Sequence, residues 1–169
     1  MRGALAVLGA LVLCSPARAE IRLAGIGWQR LVKHQGRSAG FETLPAVSLS
    51  GSTDSRRLRA KLTLLNGGPK SAEGILLRYC FAARLVPREG RAAGVWAVPF
   101  MIEEKRVPKL GPNQSQEVAL EPSLWGMYLR RLARTGFWPD RLRLQVMLEP
   151  RAGETAELQY LQSDLEVTR

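Results

Sequence analysis

Strict alternation of polar and apolar residues is the feature that most restricts how this chain can fold. Residues 56–65 read RRLRAKLTLL, in which the apolar residues of 58–64 occupy every second position. Successive side chains of a β-strand point to opposite faces, so this pattern predicts a half-buried strand. Residues 66–69, NGGP, supply the turn residues that end it.

The same reading gives further strands along the chain. Extended patterns cover residues 73–86, 95–107, 117–120, 141–149 and 156–167, with weaker candidates at 21–28 and 44–49. About seven short strands separated by turn signals predict an all-β fold, an antiparallel β-sandwich. Residues 29–43 and 50–55 are rich in Gly, Ser and Thr, so loops are expected there.

One segment has a helical rather than a strand period. Trp125, Tyr128, Leu129 and Leu132 lie at i, i+3, i+4 and i+7 within residues 123–135. Gly136 follows as a stop signal. We therefore expect one short helix inserted between late strands, with its aromatic residues anchoring it to the end of the sandwich.

The N-terminal residues have the pattern of a secretory signal peptide. Residues 1–19 combine Arg2, an apolar run over 4–14, and small residues at Ala17 and Ala19 before a cut at Glu20. The run is too short for a membrane-spanning helix. We expect export to the periplasm or beyond the cell, with residues 20–169 forming one domain in which 20–55 is a looser part. Lipidation at Cys14 is a less favoured alternative, since Leu13 precedes it.

Cleavage would change the charge and cysteine content only slightly. The chain carries 25 Lys and Arg against 15 Asp and Glu, a net charge of +10. Removal of residues 1–19 leaves 23 basic residues, or +8, and Cys80 as a lone thiol. A lone exported cysteine is either buried or pairs between chains. Cys80 lies in an apolar strand pattern, which favours burial.

Two segments resemble known exported modules. The stretch LTLLNGGPKSAEGILLRYCF resembles the paired strands of immunoglobulin-like and fibronectin-III-like modules, and VPKLGPNQSQEVAL has their strand–turn–strand pattern. The LGPNQS turn, a strand, a short helix and then RLRLQVML also resemble small exported sandwich proteins encoded beside type IV pilus genes. The first resemblance implies an immunoglobulin-like sandwich, and the second implies an assembly role rather than catalysis.

The residues that usually carry catalysis or bind metals are scarce. His34 is the only histidine, which makes a Ser–His–Asp triad or a multi-histidine metal site improbable. Glu103 and Glu104 are adjacent, so on a strand they point to opposite faces and cannot act as a pair. We expect no enzyme activity, no metal and no cofactor.

The basic surface is the clearest functional signal. Basic residues at every second strand position would line strand faces, and would form an arginine-rich surface if their strands share a sheet. The candidates are Arg57, Arg59, Lys61, Arg78, Arg84, Arg141 and Arg143. Such a surface attracts polyanions or a protein partner, although outward charges also simply keep sheets soluble. Export and the lack of interleaved aromatic residues argue against nucleic acid.

Two functional hypotheses follow from the sequence. The first is an exported, non-enzymatic protein that acts through protein–protein contacts in a bacterial envelope or surface assembly. The second is a binding module for acidic glycans or lipid head groups that uses the arginine-rich strand faces. Affinity that falls steeply with salt would distinguish the second from the first.

Overall fold

A computed structural model describes residues 18–34, 37–48, 58–89, 93–98, 101–121, 125–150 and 158–168. The described part is all-β and contains two sheets, which confirms the all-β prediction. The elements in chain order are β1 (Ile21–His34), β2 (Arg37–Thr43), β3 (Ala46–Ser48), β4 (Leu58–Asn66), β5 (Ala72–Pro87), β6 (Val95–Trp96), β7 (Ile102–Leu110), β8 (Ser115–Leu120), α1 (Trp125–Arg134), β9 (Phe137–Leu148) and β10 (Gln159–Thr168).

The strands divide into a four-stranded and a six-stranded sheet. The smaller has the order β2-β1-β4-β8, and the larger has the order β3-β10-β9-β5-β6, with β7 also pairing with β5. The pairs are antiparallel except for β3, which runs parallel to β10. The turns that follow β4 and β7 each carry the chain from one sheet to the other, so the two sheets enclose one core.

The core lies between the facing sides of the sheets, and alternation along the strands creates it. On β4 every second residue from Leu58 to Leu64 is buried, while the residues between them are partly exposed. Leu77 and Leu144 are fully buried on the opposing sheet. The Trp28 ring meets the Phe81 ring edge-on at 5.9 Å between centroids, joining the sheets across the core.

The N-terminal region is more regular than the sequence indicated. Loops were expected over 29–43, but β1 continues to His34 and β2 pairs with it, so this expectation is wrong. β1 lies between β2 and β4, and Trp28 and Gln29 are buried there. Pairing on both sides therefore outweighs the polar composition of the segment. Ten strands are described where about seven were expected, and residues 50–55 lie outside the described residues.

The side chain of Asn66 ties three segments of the backbone together. It is fully buried at the end of β4. Its carbonyl oxygen accepts hydrogen bonds from the backbone N–H groups of Glu20, at 3.0 Å, and Gly68, at 3.1 Å. Its amide group donates to the backbone carbonyls of Lys70 and Gly111, each at 2.8 Å. The first residues before β1 and the turns after β4 and β7 are therefore held at one point.

Gly68 allows the backbone before β1 to lie directly against this turn. A Cβ atom at Gly68 would lie 2.7 Å from the backbone nitrogen of Glu20 and 2.8 Å from the Cα atom of Ala19. Backbone atoms cannot yield at such distances, so only glycine fits. Residues 18–20 are thus packed against the fold rather than extending away from it.

Candidate interaction surface

The candidate basic residues are divided between the two sheets. Arg59 and Lys61 lie on β4 in the four-stranded sheet, whereas Arg78 and Arg84 on β5 and Arg141 and Arg143 on β9 lie in the six-stranded sheet. Arg57 lies outside the described residues. Because both sets face away from the shared core, they lie on opposite sides of the molecule and do not form one arginine-rich surface.

Three of the arginines on the six-stranded sheet form ion pairs within the chain. Arg78 Nε lies 2.6 Å from Glu149 Oε2 and 3.4 Å from Glu104 Oε1. Arg84 Nε donates to Asp140 Oδ1 at 2.9 Å. This hydrogen bond lowers the pKa of the Asp140 carboxyl and raises the pKa of the Arg84 guanidinium.

Arg143 is fixed from two directions. Its Nε and Nη2 atoms each donate to Asp164, both at 2.8 Å, in a bidentate arrangement. Its guanidinium carbon lies 3.7 Å from the centre of the Trp96 ring, a cation–π contact. The hydrogen bonds from Arg143 to Asp164 raise the pKa of its guanidinium. An arginine held in this way has little freedom to turn toward a ligand.

Among the four candidate arginines on this sheet, Arg141 differs from the others in its surroundings. It is exposed, lies directly across from Arg84 on β5 and Glu166 on β10, and forms no ion pair with any residue in the described ranges. Among the described residues, the basic and acidic side chains on this side of the sheet are equal in number: Arg78, Arg84, Arg106, Lys109, Arg141 and Arg143 against Glu73, Glu104, Asp140, Glu149, Asp164 and Glu166. The surface is therefore close to neutral overall.

The candidates on the four-stranded sheet also have partners. Lys61 Nζ lies 2.7 Å from Glu117 Oε1 across the neighbouring strand. Arg59 Nε donates to Gln29 Oε1 at 2.9 Å, and its guanidinium carbon lies 3.3 Å from the Phe41 ring centre. Both basic side chains are therefore already in contact with partners from the same chain, as Arg78, Arg84 and Arg143 are on the other sheet.

The six-stranded sheet has an apolar area on its side away from the core, which we call the outer face. Two rows of cross-strand neighbours form it. One row runs through Glu104, Arg78, Met147 and Tyr160, and the next through Ile102, Cys80, Gln145 and Gln162. Ile102 is 68% exposed and Tyr160 is 52% exposed. Large apolar side chains are uncommon at such exposure unless something covers them.

These rows enclose a shallow pocket of about 210 Å³. Its lining includes Cys80, Ile102, Met147 and Tyr160, with Arg78 and Gln145 at its polar margin. The apolar side chains among them are not among the residues predicted from the sequence. A signal was present, because residues 95–102 are apolar on both strand faces and Cys80 and Ala82 are apolar on the outward side of β5.

Cys80 opens toward this pocket and is only partly buried. Its Sγ lies 3.4 Å from Gln145 Oε1, and burial raises the pKa of the thiol. The burial that the sequence favoured is therefore only partial: Cys80 faces the side opposite Tyr79 and Phe81, which are the residues of this segment that enter the core.

The adjacent carboxylates Glu103 and Glu104 point to opposite faces, as strand geometry requires. Glu104 meets Arg78 on the outer face, whereas Glu103 accepts a hydrogen bond from the Tyr79 hydroxyl at 3.1 Å. Burial, followed by the charge of Glu103, raises the pKa of Tyr79 well above its ordinary range. His34 ends β1, and its side chain lies outside the described part.

The described residues offer neither a metal-binding cluster nor a membrane-spanning helix. No cluster of three or more His, Cys, Asp or Glu side chains there could hold a metal ion. Among those same residues, no helix has the length and apolar character needed to cross a membrane.

Comparison with known proteins adds little to this description. No protein-family model matches the sequence, and no curated protein is significantly similar to it. Solved structures that match include a β-D-glucoside glucohydrolase from Trichoderma reesei, with 11% identity and a TM-score of 0.41, and a β-glucosidase from Erythrobacter marinus, with 13% and 0.38. Each match covers 89% of this chain, which spans only 19% and 16% of those proteins. Similarity at this level supports no argument about function.

Proposed function

We propose that this protein is an exported, non-enzymatic β-sandwich that acts through protein–protein contacts in a bacterial envelope or surface assembly. The outer face of the six-stranded sheet is the proposed contact surface. The observation that carries the proposal is its apolar centre, around Ile102, Met147 and Tyr160, which is bordered by the ion pairs of Arg78 and Arg143.

This arrangement matches the physical requirements of a protein interface. Interface centres are apolar and depleted in free charge, while polar groups form the rim. A partner that covers Ile102 and Tyr160 would remove apolar surface from water, at about 25 cal/mol per Å². The ion pairs of Arg78 and Arg143 form part of the polar margin and need no new counter-ion from the partner.

The alternative, binding of acidic glycans or lipid head groups, has weaker support. A polyanion needs several free cations close together. Among the described residues of the outer face the opposite charges are equal in number, and Arg106 and Arg141 are the basic side chains there that form no ion pair. The alternative therefore depends on these two arginines, which lie on different strands, and on residues such as Arg57 that lie outside the described part.

The finer points of fold and location belong to the same proposal. We infer an immunoglobulin-like sandwich because consecutive strands change sheet at the turns after β4 and β7, as Greek-key connections do. Export after cleavage before Glu20 rests on the sequence pattern of residues 1–19. Residues 1–17 lie outside the described residues.

A capture experiment with two charge-inserting variants tests the proposed surface. Tagged mature protein, Ile102→Asp and Leu65→Asp are each incubated with an envelope extract of the host at low and at high salt. Leu65 is 38% exposed on the other sheet and serves as the matched control. We expect a protein retained at high salt by the wild type and Leu65→Asp, and lost from Ile102→Asp.

Two outcomes would contradict the proposal. Retention of the same protein by Ile102→Asp would remove the outer face as the contact surface. Capture only at low salt, of a lipid or glycan, with loss in Arg141→Ala, would favour the polyanion alternative.

A further inference from the structure

Strand β8 is an open edge of the four-stranded sheet. It pairs with β4 at six consecutive positions with no register shift, and no described strand pairs with its other side. It contains neither proline nor a basic residue. Half of its backbone N–H and C=O groups therefore face away from the sheet in a regular, straight array, which is a template for another strand.

The other described edges carry the devices that prevent strand addition. β7 has Pro108 and three basic residues along its length. β3 is only three residues long. β2 is irregular, with a register shift opposite Val32 and a φ of 143° at Gly40. Proline, lysine, short length and bulges all block an edge, and β8 has none of them.

Side chains beside β8 indicate that none of the described strands occupies the next position in the sheet. Lys105 on β7 lies directly across from Leu77 and shares its inward face, yet Leu77 is fully buried while Lys105 is exposed. Gln116 on β8 lies across from the fully buried Leu64 and is likewise exposed. The four-stranded sheet therefore ends before it covers β7, and one more strand beside β8 would cover this gap.

We propose that β8 accepts an extended segment of an acidic partner polypeptide by β-strand addition. The partner's backbone would pair with β8, and its inward side chains would lie above β7. Lys105 forms no ion pair within the described ranges, so an inward carboxylate of the partner would complement it. The net charge of +8 that remains after removal of residues 1–19 also attracts an acidic partner before contact is made. This surface is separate from the outer face, and either proposal can fail alone.

The probe for the test is a displayed library of short linear peptides, selected on the purified mature protein. Binding of the selected peptides is then measured by calorimetry to wild type, Lys105→Glu and Arg106→Glu. The two variants make the same charge change on adjacent exposed residues that point to opposite faces of β7. Hydrogen exchange of the β8 amides is measured with and without peptide.

We expect selected peptides to alternate apolar and polar residues around a carboxylate and to slow exchange of alternate β8 amides. Their affinity should fall about tenfold or more in Lys105→Glu, because like charges meet, and less than about twofold in Arg106→Glu. Equal losses in both variants, protection outside β8, or failure to select any peptide would overturn the proposal. Concentration-dependent protection of β8 without peptide would instead identify a second copy as the occupant.

Discussion

Replacement of Asn66 by alanine is the sharpest test of how this fold is held together. The Asn66 side chain is fully buried and makes four hydrogen bonds of 2.8 to 3.1 Å, and a longer one of 3.3 Å to the Leu110 carbonyl, to backbone groups of three separate segments. Alanine removes the four short bonds together with the longer one and leaves those backbone groups without their partner. Each neutral hydrogen bond lost from such a site costs about 1 kcal/mol, so we expect Asn66→Ala to lower the free energy of unfolding by about 4 kcal/mol.

A second substitution, Asn66→Asp, tests the role of the Asn66 amide donor separately from that of its carbonyl acceptor. Asn66→Asp keeps an acceptor for the Glu20 and Gly68 N–H groups, but places a buried carboxylate against the carbonyls of Lys70 and Gly111. Burial of the carboxylate and its repulsion by these carbonyl oxygens each raise the pKa of the new carboxyl in the folded state above its unfolded value. Its protonated form is favoured by folding, so the variant should be most stable below about pH 4 and should lose stability as the pH rises through the folded-state pKa.

The assay is urea unfolding followed by tryptophan fluorescence, repeated between pH 3 and pH 8 for the Asp variant. Gln114→Ala is the control, because the Gln114 side chain bonds the N–H of Gly111 in the same turn but is exposed. We expect that control to change stability by less than about 0.5 kcal/mol. A loss below about 1 kcal/mol in Asn66→Ala, or a pH-independent difference between Asn66→Asp and wild type, would refute this account.

Three further outcomes are expected. Cys80 should react with iodoacetamide at pH 8 more slowly in the folded protein than in urea, because burial raises the pKa of its thiol; equal rates would contradict this. Arg143→Lys should lower thermal stability by about 1 kcal/mol, since lysine cannot form the bidentate pair with Asp164; an unchanged melting temperature would count against it. Ser163→Ala should cost about 1 kcal/mol by removing the 3.0 Å acceptor of the Trp28 indole N–H, which near-ultraviolet circular dichroism and urea unfolding can measure.

Period-two alternation carried most of the fold prediction. It located β4, β5 and β9 because each buries one face and exposes the other. It marked β1 only weakly, over 21–28, and missed β2, because residues such as Gly27 and Gln29 are small or polar on the side away from the core. β1 forms because β4 supplies a partner distant in sequence, and β2 then pairs with β1; the long-range pairing leaves little local trace in the sequence.

The candidate site was harder to predict for a similar reason. Arg78, Arg84 and Arg143 look like free cations in the sequence, but each meets a carboxylate from a neighbouring strand. Sequence spacing cannot give the pairing of Arg143 with Asp164, because register across strands determines it. The apolar side chains of Ile102 and Tyr160 come from different strands, and only the sheet order brings them to one surface.

The packing of residues 18–20 against Gly68 has a consequence for the timing of maturation. The peptide bond before Glu20, where we propose that the leader is cut, lies in the folded chain against the turn after β4, with the Glu20 nitrogen bonded to Asn66. A peptidase needs its substrate in extended form, so cleavage has to come before this segment docks. The new α-ammonium group would then become the donor to Asn66, and a chain that folds first would keep the proposed leader.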